Sequence, residues 1–457
     1  MKKKNLVKFF ATVMMVNLLG GCSIGGETVK KNEITVVTNE RSIMEVMQGL
    51  VDNYNETNDK NIYINFECKD DSYDDYIKTT YTSKNPPDIH IRINNAELAR
   101  EAGWLRPLPD DLAQKCKEEF IDSCIIEESD GKIYSVGLTA GGAQKLIYNK
   151  DLFKECGLDP DKPPTTFDEM RECAKIITEK GNGVKYGFAM PLKDDIFSRY
   201  YVMIPGAPSG LFNRDGFVPT ENKFDFTIYE KMINYLRDLI SDGSVFPTPY
   251  TLDNDTARAQ FSEGNIGMIY GAAWDVGVYN DQFPAKCDFG IVNFPVFDEL
   301  AGGYPYGAAT KSHWYMSSMS KNPEAQLEVY KWLISEEVAT ELLKENAITA
   351  STRKSLQDKM PEINKKGALE FAERTYPLFK LDEPLEPSGL KISGDGRYSV
   401  IKNLVTDSSL DVKKTLKELT DKYNAAMKVL AQELEEKGES IDKYHIPDWS
   451  FIIENQE

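Results

Sequence analysis

The sequence predicts an α/β protein of two domains, on three observations. The chain has 457 residues, more than one hydrophobic core usually serves; strand-like runs alternate with amphipathic stretches of helix length; and a glycine pair at 141 and 142 interrupts the pattern. Hydrophobic content of 41% and charged content of 28% are those of a folded chain, not a disordered one. A net charge of −19 argues against nucleic acid and direct adhesion to anionic lipid, and favours a neutral or polar ligand. The histidines, His90, His313 and His445, lie far apart with no HExxH spacing, so neither zinc nor histidine catalysis is expected, and no cofactor. Cys68, Cys116, Cys124, Cys156, Cys173 and Cys287 form no CxxC pair and read as small buried hydrophobes, with Cys116 to Cys124 one conceivable local bridge.

At the amino terminus, Lys2, Lys3, Lys4 and Lys8 precede an apolar run over residues 9–19, too short to span a bilayer permanently. This is the pattern of an export signal. It ends in Leu19, Gly20, Gly21 and Cys22, which resembles the bacterial lipobox, whose cysteine sulfur receives a diacylglyceryl group before cleavage. Cys22 then becomes the first mature residue and a membrane anchor, since two acyl chains hold where one binds marginally. Residues 1–21 are thus expected to be a lipoprotein signal peptide and 22–32 a flexible tether.

The body opens with strand 34–38 (ITVVT), then Ile43, Met47, Leu50, Val51 and Tyr54 at helical spacing. Alternation at Ile62, Ile64 and Phe66 predicts a second strand, residues 73–81 a helix, and the segment after Pro86 and Pro87 a third strand. Helix-length crossovers make these strands parallel, and ligands collect beyond the carboxyl ends of such strands. That rule singles out Asn39, Glu40 and Arg41 after the first strand, and Arg92, Asn94 and Asn95 after the third; helix capping is an equal reading for the asparagines.

Residues 131–138 contain a further strand, Gly141 and Gly142 a hinge, and 146–153 (LIYNKDLF) a strand entering a helix. Thr166 and Glu169 form a capping box for a helix that ends at Gly181. Strand 186–191, an amphipathic helix around Met232 to Leu239, and strand 289–295 follow. Residues 302–307 form a glycine- and tyrosine-rich loop with no phosphate-cradling glycine motif. Asn322 and Pro323 start a helix, Glu336 and Glu337 lie near the break into another, and Val412, Leu416, Leu419, Tyr423 and Leu430 space a long terminal one.

The most informative stretch is 261–275, FSEGNIGMIYGAAWD. An apolar strand ends in Gly271, Ala272 and Ala273, which strip away bulk just before Trp274. An exposed indole among small residues is a flat stacking surface, suited to the apolar face of a sugar ring. A packed core tryptophan is the plainer reading of the same pattern.

Together, the Cys22 motif, Pro87-Asp88-Ile89, residues 146–153 followed by 164–169 (PTTFDE), and residues 261–274 resemble the extracellular solute-binding proteins of bacterial carbohydrate importers, the maltose-binding-protein group. Phe167 stands where that family usually has tryptophan. The resemblance implies a periplasmic-binding-protein-like fold: two discontinuous α/β lobes joined by a hinge, with the ligand cleft between them. The expected partition is 33–140 with 296–335 for lobe 1, and 141–295 with 336–457 for lobe 2. It implies a sugar-stacking role for Trp274, polar ligand contacts from Asn39, Glu40 and Asn95, and a ligand-facing turn at Met190. Arg92 replaces an aromatic of a better-known relative and Gly142 an acidic residue, so the preferred sugar is not inherited. Gln144 and Tyr304 join the candidates from their places beside glycine breaks. The function implied is a lipid-anchored, monomeric receptor that delivers a sugar to an ABC permease. A peptide, polyamine or other charged solute is the alternative. A surface glycoside hydrolase using acids such as Asp70 and Asp71 or Asp194 and Asp195 is the third reading.

Overall fold

The structure is a computed structural model that describes residues 31–69, 72–93, 96–121, 124–127, 130–139, 144–209, 211, 215–297, 313–348, 351–356, 365–372, 387 and 389–445. The chain begins with β1 (Asn32–Thr38), α1 (Met44–Thr57), β2 (Ile62–Cys68), α2 (Tyr73–Thr82) and β3 (Ile89–Ile91). β1 pairs in parallel with both β2 and β3, as the helical crossovers require. Met47 and Val51, one turn apart on α1, are buried in the core beneath this sheet. Next come α3 (Ala96–Glu101), β4 (Leu105–Arg106), α4 (Asp110–Glu119), β5 (Ile125–Glu127) and β6 (Ile133–Gly137).

The chain then enters a second sheet with β7 (Lys145–Asn149), α5 (Lys150–Glu155), α6 (Phe167–Lys180) and β8 (Tyr186–Ala189). The Thr166 hydroxyl accepts from Glu169 N, and the Glu169 carboxylate accepts from Thr166 N, so the expected capping box starts α6. α6 lies hard against β8 because residue 187 is glycine: a Cβ there would sit 2.1 Å from the Ala174 carbonyl oxygen. A small hairpin of β9 (Phe217–Val218) and β10 (Lys223–Phe224), then α7 (Glu230–Ser241), α8 (Asn254–Ser262), β11 (Ile266–Gly271), α9 (Asp275–Gly277) and β12 (Phe289–Val292) complete this passage. The chain returns to the first sheet as β13 (His313–Ser317), α10 (Pro323–Leu333) and α11 (Glu336–Lys344), and ends on the second with α12 (Ala368–Ala372), α13 (Arg397–Thr406) and α14 (Val412–Glu436).

Two lobes result, each with its own sheet. The first sheet runs β2-β1-β3-β13-β6-β5, with β4 on β13; the second runs β12-β7-β11-β8. Their apolar cores are separate: Val36, Ile89, Trp314 and Tyr330 belong to one, Phe167, Phe188, Met268 and Leu416 to the other.

Several expectations are corrected. The boundary at 335 places α11 in lobe 2, but Val338, Ala339, Leu342 and Leu343 pack in the first core, together with Ile348 and Leu356. The two residues linking α10 to α11 reach only about 7 Å, too short to change lobes. Parallel pairing holds for β1, β2 and β3, whereas β13 runs antiparallel to β3 and to β6. Cys116 and Cys124 are both buried and form no bridge. Cys22, Asp70, Asp71, Asn94, Asn95, Gly141, Gly142 and Tyr304 lie outside the described residues.

One buried group gives the first lobe a pH signature. His90 on β3 is fully buried; its Nδ1 donates to the Arg92 carbonyl at 3.4 Å, which leaves Nε2 to accept from the Tyr81 hydroxyl at 2.8 Å. Burial pushes its pKa down to about 4. The unfolded chain therefore takes up a proton below the ordinary histidine pKa while the folded chain does not, and the stability this residue contributes is lost as pH falls from about 6.5 toward 4. Urea midpoints across that window should fall for the parent protein, His90 accounting for about 3 kcal/mol of the loss. In His90→Gln the midpoint should be lower at neutral pH and its decline shallower.

Candidate functional site

Strand direction brings the candidate residues to two facing sheet edges. In lobe 2, β7 is antiparallel to β11, with Lys145 opposite Gly271, and to β12, with Leu146 opposite Val292; β8 is parallel to β11. The start of β7 and the ends of β8, β11 and β12 therefore share one edge, which holds Gln144, Met190 and Trp274. In lobe 1 the ends of β1, β3 and β6 and the start of β13 share one edge in the same way. That edge carries Asn39, Glu40, Arg41 and Arg92. The chain leaves lobe 1 at the end of β6 and enters lobe 2 at the start of β7, and it leaves lobe 2 at the end of β12 and re-enters lobe 1 at the start of β13, so both passages begin and end at these edges; a third passage, after Leu356, leads to α12.

Among the described residues, two ion pairs join the lobes beside these edges. Arg41 Nη1 lies 3.7 Å from Asp255 Oδ2 on α8, and Glu97 on α3 accepts from Lys443 at 3.2 Å. Lys443 belongs to the second lobe, since the neighbouring Tyr444 packs in its core. Carbonyl and side-chain groups at residues 220 and 222 bond to His445 and Ile441 and hold the same segment there.

Trp274 is 37% exposed, and its ring meets Tyr200 edge-on, with centroids 6.4 Å apart and planes at 80°. The small residues before it have a second purpose that the sequence did not disclose. A Cβ at Gly271 would lie 2.4 Å from Ile147 Cδ1 and 3.0 Å from Asp275 Oδ2, so glycine makes room for a carboxylate. Asp275 is buried beneath the indole's turn. Its Oδ2 accepts from Ala272 N at 2.8 Å, and Oδ1 is 2.7 Å from Arg258 Nη2. Burial opposes the Arg258 charge, but Asp275, Tyr279 and Asp255 more than offset this and hold its pKa above the ordinary arginine value. Burial also raises the Tyr201 phenol well above its usual range, and the Asp275 charge adds to the rise.

The other candidates divide by exposure. Gln144 is buried, and its Oε1 accepts no hydrogen bond among the described residues, a state that costs about 1–3 kcal/mol unless a partner arrives. Asn39 and Glu40 are half-buried, with Glu40 N donating to Thr38 Oγ1 at 3.0 Å. Arg92 is exposed and held at φ +45°, a left-handed conformation that costs a non-glycine residue about 1 kcal/mol or more. Its N–H donates to the His313 carbonyl at 2.7 Å, and its guanidinium lies 3.7 Å from Asp74 and 6.0 Å from the centre of the Tyr73 ring. Met190 reaches the edge with its backbone only: its side chain is fully enclosed in the second core, so its place is structural. Asp195, one of the acids considered for hydrolysis, is engaged with Lys402 at 2.7 Å.

Sequence reasoning missed Tyr200, Asp255, Arg258 and Asp275 as parts of this region. Tyr200 lies in a π-helical turn, Arg199–Met203, for which apolar periodicity gives no cue. The aromatic run Phe197, Tyr200 and Tyr201 was the available signal.

Comparison with known proteins places this architecture. The family model described as bacterial extracellular solute-binding protein matches residues 38–340. The arabinooligosaccharide-binding protein of Bacillus subtilis is 24% identical over 301 residues, which is 62% of this chain and 65% of that one. An sn-glycerol-3-phosphate-binding periplasmic protein of Brucella abortus is 28% identical over 155 residues, 34% of each chain. The match thus spans less than two-thirds of these curated relatives. Among solved structures, the maltose/maltodextrin-binding domain of Bdellovibrio bacteriovorus bound to maltotriose superposes with a TM-score of 0.66 at 17% identity, over 88% of this chain and all of that one. A solute-binding protein from Thermotoga lettingae bound with α-D-tagatose gives 0.68 at 19% identity, over 87% of this chain and all of that one. At these identities the two structures establish the fold.

The buried pair beneath Trp274 makes a stability prediction. Asp275→Ala leaves Arg258 without its innermost counter-charge and Ala272 N without its acceptor, and should cost about 3 kcal/mol or more. Urea unfolding followed by circular dichroism checks this, with a midpoint unchanged from the parent excluding the arrangement.

Proposed function

The chain belongs to the bacterial extracellular solute-binding proteins, and from that membership we propose that it captures a mono- or oligosaccharide between its lobes and delivers it to an ABC importer. Family and fold are those of binding proteins rather than enzymes. The observation that carries the reading is Trp274, a part-exposed indole on the sheet edge that faces the other lobe. A ring in that position offers apolar area to a sugar face with little rotamer entropy to lose. Gln144, with a buried acceptor at the same edge, suits a sugar hydroxyl, and Asn39 and Glu40 supply polar groups from the opposite side. The names of the arabinooligosaccharide-binding relative and the maltotriose-bound neighbour support a carbohydrate.

A charged solute on the same fold is favoured by one feature. Arg41 and Arg92 both sit at the lobe 1 edge, and a relative is named for a phosphorylated polyol. A lipid anchor at Cys22 completes the proposal, with the mature chain held on the extracytoplasmic face of the membrane, as a monomer, docking on permease subunits. Among the described residues no helix is long and apolar enough to cross a membrane.

Thermal-shift screening of sugars, phosphorylated polyols, peptides and amines separates the two readings, since a tight ligand raises the melting point by mass action. For the best sugar found, Trp274→Ala should lower affinity by about tenfold or more in calorimetry while its melting temperature stays near the parent's. Equal affinities would remove Trp274 from the site, and a panel in which only charged solutes shift the melting point would replace the carbohydrate. Mass spectrometry of the membrane fraction should find Cys22 as the acylated first residue.

A further inference from the structure

Four charged groups of alternating sign run without a break from lobe 1 to the turn that carries Trp274. Arg41 Nη1 is 3.7 Å from Asp255 Oδ2, and the other oxygen of Asp255 is 3.3 Å from Arg258 Nη1. Arg258 Nη2 is in turn 2.7 Å from Asp275 Oδ1, and Asp275 Oδ2 accepts from the backbone of Ala272. Asp255 and Arg258 stand three apart on α8, so the helix itself spaces the middle of the array.

The two ends of this array live in different surroundings. The inner pair is nearly sealed, with side chains 13% and 5% exposed, while the outer pair is 55% and 47% exposed. A sealed pair is permanent, because separating it strands a charge in the interior. An exposed pair is weak, screened by salt, and can form and break as the lobes move. Arg41 also follows directly on Asn39 and Glu40, so whatever brings it to Asp255 brings the lobe 1 edge toward the indole.

We propose that Arg41, Asp255 and Arg258 are positioning residues: the Arg41–Asp255 pair latches the lobes on the α8 side of the cleft, and Arg258 with Asp275 transmits that latch to the Trp274 turn. This rests on the reading of Trp274 as the ligand platform and adds to it a mechanical link between closure and platform. The plainer account, in which Arg41 and Asp255 merely pass each other at the surface, predicts no effect of either residue on lobe spacing.

The test needs no ligand, so its failure is distinct from failure of the carbohydrate reading. Small-angle X-ray scattering of the full protein at low salt should show a larger radius of gyration for Arg41→Ala and for Asp255→Ala, reflecting an open-to-closed ratio shifted by up to about fivefold. Raising the salt to 1 M NaCl should widen the parent by more than it widens Arg41→Ala, in which the Glu97–Lys443 pair is still present to be screened. Scattering of Arg41→Ala that superimposes on the parent at both salt concentrations overturns the latch. For the transmission, 5-fluorotryptophan is incorporated and the Trp274 resonance identified by its loss in Trp274→Phe. That resonance should move in Asp255→Asn and in Arg258→Lys, which keeps the charge and hence the fold, and stay in place in Glu97→Gln, which removes the other cross-lobe pair. A Trp274 resonance that is unmoved in Asp255→Asn and Arg258→Lys, or moves as far in Glu97→Gln, overturns the link.

Discussion

The reversal of β7 between β11 and β12 is the constraint on which the site depends. Because β7 runs against both neighbours, the chain arrives from lobe 1 at the edge where β11 ends, and leaves lobe 2 from that edge after β12. A parallel β7 would place its entry point at the opposite end of the sheet, far from Trp274. The same logic operates in lobe 1, where β13 returns antiparallel to β3 and starts at the edge where β3 stops. The strand ends that open onto these two passages thus lie at the facing edges, and the candidate binding residues share that region for reasons of strand polarity.

Each lobe can move as a body because each has its own core. Trp314, Tyr330 and Phe120 are almost wholly buried in the first, and Phe167, Phe188 and Phe261 in the second lobe, so the apolar burial that stabilises folding does not depend on how the lobes meet. Among the described residues two ion pairs join them, Arg41–Asp255 and Glu97–Lys443, with the cation on lobe 1 in one and on lobe 2 in the other. A solvent-exposed pair such as Arg41–Asp255 contributes little to folding, and Glu97–Lys443 is half-buried. Such an exposed pair is suited to an equilibrium between conformations, in which a small differential energy decides the population.

The buried charge under Trp274 shows how one residue type serves two ends. Gly271 removes bulk near the indole and also admits the Asp275 carboxylate, which satisfies a backbone N–H and pairs with Arg258. The turn is held by polar contacts that have no register in a hydrophobic pattern. Sequence reading accordingly recovered the strand, the glycine and the tryptophan but not their support. Met190 failed for the converse reason: an apolar residue at the end of a strand is equally compatible with facing a ligand and with facing the core, and here the core takes it.

The sequence by itself determined the local elements and the family. Periodicity placed β1, α1, β2 and α2, the Thr166 to Glu169 box fixed the start of α6, and the phrase at 146–153 pointed to the fold that the family match bears out. These are short-range properties, set by side-chain spacing and backbone capping within a few residues. Only the tertiary structure decided that α11 belongs with the first lobe, that β13 and β7 reverse direction, and that Arg41 meets Asp255. Those outcomes turn on contacts between residues far apart in the chain, whose formation depends on how the packed elements fit together and not on the identity of any one segment.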